Sequence, residues 1–198
     1  YIEQAIKLNL NLANECGANI NEEITILKYL SKINSYDTKI QLISMGEYLS
    51  CCILKCFLKS DKVEIVDSTD IIKSNTNNGT SFYNKGEFSV DKKTLLENLQ
   101  NNNVLIIPGF SGSTPDNNTC LLGRGGSDTS GSIIAEEINA ESYTIWTDVD
   151  GLYNCDPRLI SNSKIINKIG YVHAQEMAAM GANIIHPYSI LPCAKKNI

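Results

Sequence analysis

The residues best suited to chemistry lie in a glycine-rich stretch, Gly123-Arg124-Gly125-Gly126-Ser127-Asp128, that leads into an apolar-periodic segment through Ile133, Ile134 and Ile138. Glycines let backbone N–H groups come close to an anion, and a helix start adds unpaired donors and a partial positive charge. Arg124 brings a planar fork that fits a carboxylate or a phosphate. The same stretch also reads as an ordinary loop capped by Ser127 or Asp128, and the motif alone leaves both readings open. A second glycine-rich turn, residues 108–113, follows the apolar run 104–107. An α/β sheet places its ligands at such strand ends. Asp148 and Asp150 leave another apolar run, 143–147, and suit either magnesium-nucleotide chemistry or a plain turn, since Asp-Gly is itself a turn signal. Glu47, beside Gly46, is an acid on an otherwise apolar helix. Taken alone it reads as a solvated helix residue. Gly46 costs the helix roughly 1 kcal/mol relative to alanine and so asks for a close-approaching ligand or backbone. His186, just before Pro187, reads as holding a turn, because no nucleophile motif accompanies it.

These residues need a frame. Residues 1–33 are helix-like with a break at Cys16-Gly17, Asn21 capping the second piece. Residues 37–60 suit one long helix. Residues 63–66 read as a strand, 74–86 as a polar loop, and 89–99 as a helix begun by Ser89 and Asp91. A strand at 104–107, a helix running to about Asn139, a strand at 143–147, a helix at 173–180 and a last helix after Pro187 complete the chain. The alternation predicts an α/β sandwich with a largely parallel sheet. Residues 1–60 read as a helical, substrate-side part and 61–198 as the sheet and nucleotide-binding part of one domain.

Composition narrows the function. At 198 residues, with 42% apolar and 20% charged residues, the chain can bury a substantial core. A net charge of −5 argues against a general nucleic-acid binder. Seven cysteines in no zinc-like spacing read as small buried residues of a reducing compartment, and no metal site is expected of them. No apolar run is read as long enough to span a bilayer. The chain opens without a Met and inside a helix, which reads as a fragment.

In order, the chain carries Ser44-Met45-Gly46-Glu47, Pro-Gly-Phe-Ser-Gly-Ser (108–113) and Leu-Gly-Arg-Gly-Gly-Ser-Asp (122–128). Ile-Trp-Thr-Asp-Val-Asp-Gly-Leu-Tyr (145–153), Asp-Pro-Arg (156–158), Glu176-Met177-Ala178 and Gly-Ala-Asn-Ile-Ile-His-Pro (181–187) follow. This series resembles the catalytic domain of the aspartokinases, in the amino acid kinase superfamily, from Asp37 to the last residue. The resemblance implies a three-layer αβα sandwich of the carbamate kinase-like type, here incomplete. It implies transfer of the γ-phosphoryl group of MgATP to the β-carboxylate of L-aspartate, opening the route to lysine, threonine and methionine. By the same resemblance Glu47 holds the substrate amino group, Arg124 pairs with a substrate carboxylate, and Gly125, Gly126 and Ser127 donate nearby. Asp128 orients catalytic lysines. Gly109 and Ser111 lie near the phosphates, Thr147 and Asp148 contact the nucleotide, and Tyr153, Asp156, Pro157, Arg158 and Asn183 line its site. A cytoplasmic homodimer is implied, with no membrane or nucleic-acid partner.

The sequence departs from that family at three points. Nothing matches the family's Lys-Phe-Gly-Gly segment, Asn183 stands where many members carry lysine, and the C-terminal regulatory (ACT) domains that sense lysine or threonine have no counterpart. The expectation is that these 198 residues alone are inactive while the parent enzyme is active. Two alternatives remain at this level: a non-catalytic module of the same fold, or a related kinase acting on another carboxylate or a nucleotide.

Overall fold

Ile6, Ala13, Ile24 and Leu27 recur at helical spacing and form the inward faces of the first two helices of the computed structural model, α1 (Ile2–Cys16) and α2 (Asn21–Leu30). The structure describes residues 2–77, 88–181 and 185–198. Gly17, at φ +68°, ends α1 where a side chain would be strained. Asn21 is not the cap expected of it. Ile20 occupies that position without a side-chain bond, and Asn19 accepts from the Asn21 N–H instead.

The third helix, α3 (Tyr36–Leu58), begins at Ser35, whose hydroxyl accepts from the Thr38 N–H, and ends at left-handed Lys59. It buries Leu49, Cys52 and Ile53 in one cluster with α1 and α2. By length and composition α3 could cross a bilayer, contrary to the sequence reading. A core helix of a globular protein meets the same measure.

Strand β1 (Val63–Ile65) pairs in parallel with β4 (Val104–Ile106), Val63 and Ile106 packing with Cys51. A second sheet has the order β3 (Phe88–Val90), β2 (Ile72–Ser74), β5 (Ser111–Ser113), β6 (Thr119–Leu121). Its β2–β5 ladder is parallel, and antiparallel neighbours flank it on both sides. A one-turn helix, α4 (Ser68–Ile71), precedes β2. Ser89 lies in β3, so Asp91 alone caps α5 (Lys92–Asn101). Most of the polar loop expected at 74–86 lies outside the described residues.

The chain divides into two compact units, Tyr1–Ser127 and Asp128–Ile198. The helices of residues 1–60 and both sheets therefore share one unit. The boundary lies within the first turn of α6 (Gly126–Ile138). In the second unit α7 (Tyr171–Ala179) packs on α8 (Pro187–Lys196), and Lys195 of α8 bonds Glu136 of α6 at 2.6 Å. His186 caps α8, its Nδ1 accepting from the Tyr188 N–H, which is the turn-holding role its position suggested.

Residues 143–147 form no strand. β-Propensity expresses how a side chain fits a paired, half-buried surface, and here no ladder forms to supply one. Tyr143 instead lies on α6: its ring oxygen would sit 2.6 Å from a Cβ at Gly131, and its hydroxyl donates to the Asp128 carbonyl at 2.9 Å. Trp146 is 93% exposed.

Candidate active site

In the first unit two glycine turns interlock. Gly123 and Gly125, at φ +79° and +69°, reverse the chain, and the Gly126 N–H closes the turn on the Gly123 carbonyl at 3.0 Å. A Cβ on Gly126 would lie 2.7 Å from the Phe110 ring, and one on Gly109 would lie 3.0 Å from the Ser127 Cα. Phe110 holds a left-handed φ of +70°, its carbonyl accepting from the Leu122 N–H at 2.9 Å. The two turns thus touch through atoms that only glycine leaves room for.

This contact fixes the place of Ser127, and Ser127 meets Glu47. The serine hydroxyl donates to Glu47 Oε1 at 3.0 Å, joining positions 80 residues apart. Glu47 is half-buried rather than freely solvated, and nothing lies within 4 Å of the Cβ that Gly46 lacks. No backbone therefore explains Gly46, and the space beside it is open. Arg124 is exposed on the turn and has no polar partner among the described residues. Ser111 differs from expectation: it is 3% exposed and its hydroxyl is bonded to that of Ser68 at 2.7 Å. Its side chain is committed to the interior, so in this turn Gly109 and Phe110 are the positions that reach the interlock.

In the second unit, Asp128 is half-buried in the first turn of α6. Burial pushes its carboxyl above the ordinary aspartate range, while neighbouring His186 draws it part of the way back. Further along, a cavity of about 620 Å³ is lined by Val149, Leu152, residues 153–158, Met177, Met180 and Gly181. Its loop is pinned by antiparallel bonds. The Ile166 N–H donates to the Leu152 carbonyl at 2.7 Å and the Asn154 N–H to the Lys164 carbonyl at 3.0 Å, and Asn154 Oδ1 accepts from the Lys164 N–H at 2.8 Å. Gly151, at φ +147°, makes the turn that Asp150 begins.

Tyr153, Asp156, Pro157 and Arg158 are thereby brought to one cavity. Thr147 and Asp148 stand exposed just before it, bonded to each other at 3.3 Å, and are not among its lining residues. Asn183 lies outside the described residues. Sequence reasoning missed Val149, Leu152, Met177 and Met180 as cavity wall, because apolar residues at helical or strand spacing read as core. Among the described residues no group of three or more His, Cys, Asp or Glu side chains could hold a metal ion.

A mixed α/β frame, with a glycine turn feeding a helix start and, separately, a polar-rimmed apolar cavity, defines an α/β protein with groups of the kind that bind ligands. Within that class the chain belongs to the amino acid kinase family, whose model matches residues 7–198.

Among relatives, it is 32% identical over 196 residues to lysine-sensitive aspartokinase 3 of Escherichia coli K12, covering 95% of this chain and 42% of that one. With the aspartokinase of Rickettsia prowazekii the identity is 34% over 172 residues, 85% of this chain and 37% of the relative. Among solved structures, E. coli aspartokinase III in complex with aspartate and ADP aligns with a TM-score of 0.77 at 30% identity, over 89% of this chain and 41% of that one. The Clostridium acetobutylicum aspartate kinase aligns with a TM-score of 0.73 at 29% identity, over 100% of this chain and 42% of that one. The chain thus has the α/β fold of the amino acid kinases and spans about two fifths of the length of these relatives.

Proposed function

We propose that this chain is catalytic-domain sequence of an aspartate kinase, moving the γ-phosphoryl group of MgATP to the β-carboxylate of L-aspartate to give 4-phospho-L-aspartate. The observation that carries the reading is the bond from Ser127 to Glu47 beside the interlocked glycine turns. It places a half-buried carboxylate next to open space at Gly46. An amino acid's ammonium group is the cation such a carboxylate takes. The E. coli enzyme that aligns with this chain was solved with aspartate and ADP bound, which supports both ligands here.

The chemistry fits the residue types. A substrate carboxylate is already ionised at neutral pH, so the reaction needs no general base. What it needs is positioning and neutralisation of charge. Glu47 binds the amino group and Arg124 a substrate carboxylate. Ser127 has a single O–H, given to Glu47, so toward the substrate it offers its lone pairs and backbone N–H. Gly125 and Gly126 line the substrate's place on the turn, the Gly126 N–H staying on the Gly123 carbonyl, and Asp128 orients cationic groups around the transferring phosphoryl. Tyr153, Asp156, Pro157, Arg158 and Asn183 serve the nucleotide, with Gly109, Ser111, Thr147 and Asp148 toward its phosphates, Ser111 through its main chain. Magnesium is carried by the nucleotide as part of the substrate. The product feeds lysine, threonine and methionine synthesis in the cytoplasm. The working form is a homodimer under feedback by lysine or threonine, with no membrane or nucleic-acid partner.

A substrate panel tests this. ADP release from MgATP is measured for the protein carrying this chain, with aspartate, glutamate, N-acetylglutamate and a nucleoside monophosphate as acceptors. Turnover with aspartate, trapped by hydroxylamine as the β-hydroxamate, is the expected result. Preference for any other acceptor contradicts the proposal.

A further inference from the structure

The cavity in the second unit holds an ion pair whose geometry has no counterpart elsewhere on its wall. Asp156 accepts three bonds from Arg158: the backbone N–H to Oδ1 at 2.9 Å, Nε to Oδ1 at 3.1 Å and Nη2 to Oδ2 at 2.8 Å. The Asp156 carbonyl accepts in addition from the Leu159 and Ile160 N–H groups. A carboxylate in a cavity read as a nucleotide site is at first sight a liability, because it repels phosphate.

We propose that Asp156 is a positioning residue rather than a nucleotide ligand: its carboxylate fork holds the Arg158 guanidinium so that the outer edge faces the phosphates of a nucleotide seated on Leu152, Met177 and Met180. This rests on the nucleotide reading of the cavity given above. Of the five guanidinium N–H groups, two are engaged by Asp156. Those remaining, on Nη1 and the far side of Nη2, form the end-on fork that grips phosphate bidentately. Arg158 has no other partner among the described residues, and its side chain is 86% exposed. An exposed pair of this kind adds little to fold stability, so stability does not account for its three-bond geometry. Ordering an arginine in advance does account for it, since a loose side chain loses rotamer freedom when a ligand arrives. The bonds to Arg158 also lower the Asp156 carboxyl below its usual range, which favours the charged pair.

The test is calorimetric titration of the protein carrying this chain with adenosine, AMP, ADP and ATP, wild type first. Asp156→Asn keeps the acceptor for the backbone N–H but replaces the second oxygen with a donor that faces Nη2. ATP and ADP are expected to weaken about three- to tenfold, the size of ordering one side chain on binding. Adenosine affinity and the melting temperature stay unchanged. Arg158→Ala weakens the same ligands, and the double variant is no weaker than Arg158→Ala alone. Wild type that binds neither adenosine nor ATP overturns the nucleotide reading and this inference together. Wild type that binds while Asp156→Asn holds ATP as well as or better than before, or loses adenosine in parallel, overturns the inference and leaves the reading intact.

Discussion

Residues 108–127 and residues 149–158 both present groups suited to an anionic ligand, and they are held in place by opposite means. The first stretch is fixed by contact. Gly109, Gly112 and Gly126 each have a neighbour at 2.7–3.0 Å from where a Cβ would stand, and Ser111, Gly112 and Ser113 are all buried. The second stretch is fixed by hydrogen bonds around a cavity whose apolar wall is open to water: Met180 is 88% exposed and Val149 43%. A contact-built site tolerates no added atom. A bond-built cavity tolerates side-chain loss and shows the effect only when a ligand is present.

The largest difference is expected at Gly112. An alanine there would put its Cβ 2.7 Å from the Ile72 carbonyl oxygen, a backbone atom of the paired strand that cannot swing aside. Overpacking of this kind costs about 1–3 kcal/mol. Urea denaturation of Gly112→Ala should show that loss, and an unchanged midpoint would mean the sheet is looser than described. Gly131→Ala comes next. Its Cβ meets the Tyr143 ring, which can pivot, so the cost is smaller and the bond to the Asp128 carbonyl is what breaks. Tyrosine absorbance titration reads the change: burial holds the Tyr143 phenol far above its ordinary range in the wild type, and the variant should bring it down.

Asp128 sharpens the comparison through pH. Burial raises its folded-state pKa, so the folded chain binds the proton more tightly than the unfolded chain does. Stability from this group therefore falls as pH rises from the ordinary aspartate range through the folded value. Asp128→Asn should melt higher than wild type at about pH 7 and match it at about pH 3. Equal melting at both would show that the carboxyl is fully solvated. The smallest effect on stability is at Met180. Met180→Ala should stay within about 0.5 kcal/mol of wild type in stability, yet bind adenosine more weakly.

The same contrast explains what could be read from the sequence. The helices α3 and α6 announce themselves through apolar spacing, and the strands β1 and β4 through short, largely apolar runs. Strand β5 does not: Ser111-Gly112-Ser113 has no β-branched or aromatic residue, and its extended form comes from pairing with β6 on one side and β2 on the other. Residues 143–147 err the other way, reading as a strand where Tyr143 is drawn onto α6. Motif residues within one loop, such as Tyr153 to Arg158, come together as their spacing suggests. The Ser127–Glu47 bond spans 80 residues, and no local pattern encodes such a meeting. Met177 and Met180 were passed over because an apolar residue looks the same in sequence whether it faces a core or a ligand.

The most direct test of the account is calorimetric titration of the chain with L-aspartate, in the wild type and in Glu47→Gln. Replacing a charged hydrogen-bond acceptor removes about 1.5–3 kcal/mol, or about a ten- to 150-fold loss of affinity. The account predicts aspartate binding in the wild type and a loss of that size in Glu47→Gln, with ATP affinity unchanged. Aspartate binding of equal strength in both proteins would contradict it.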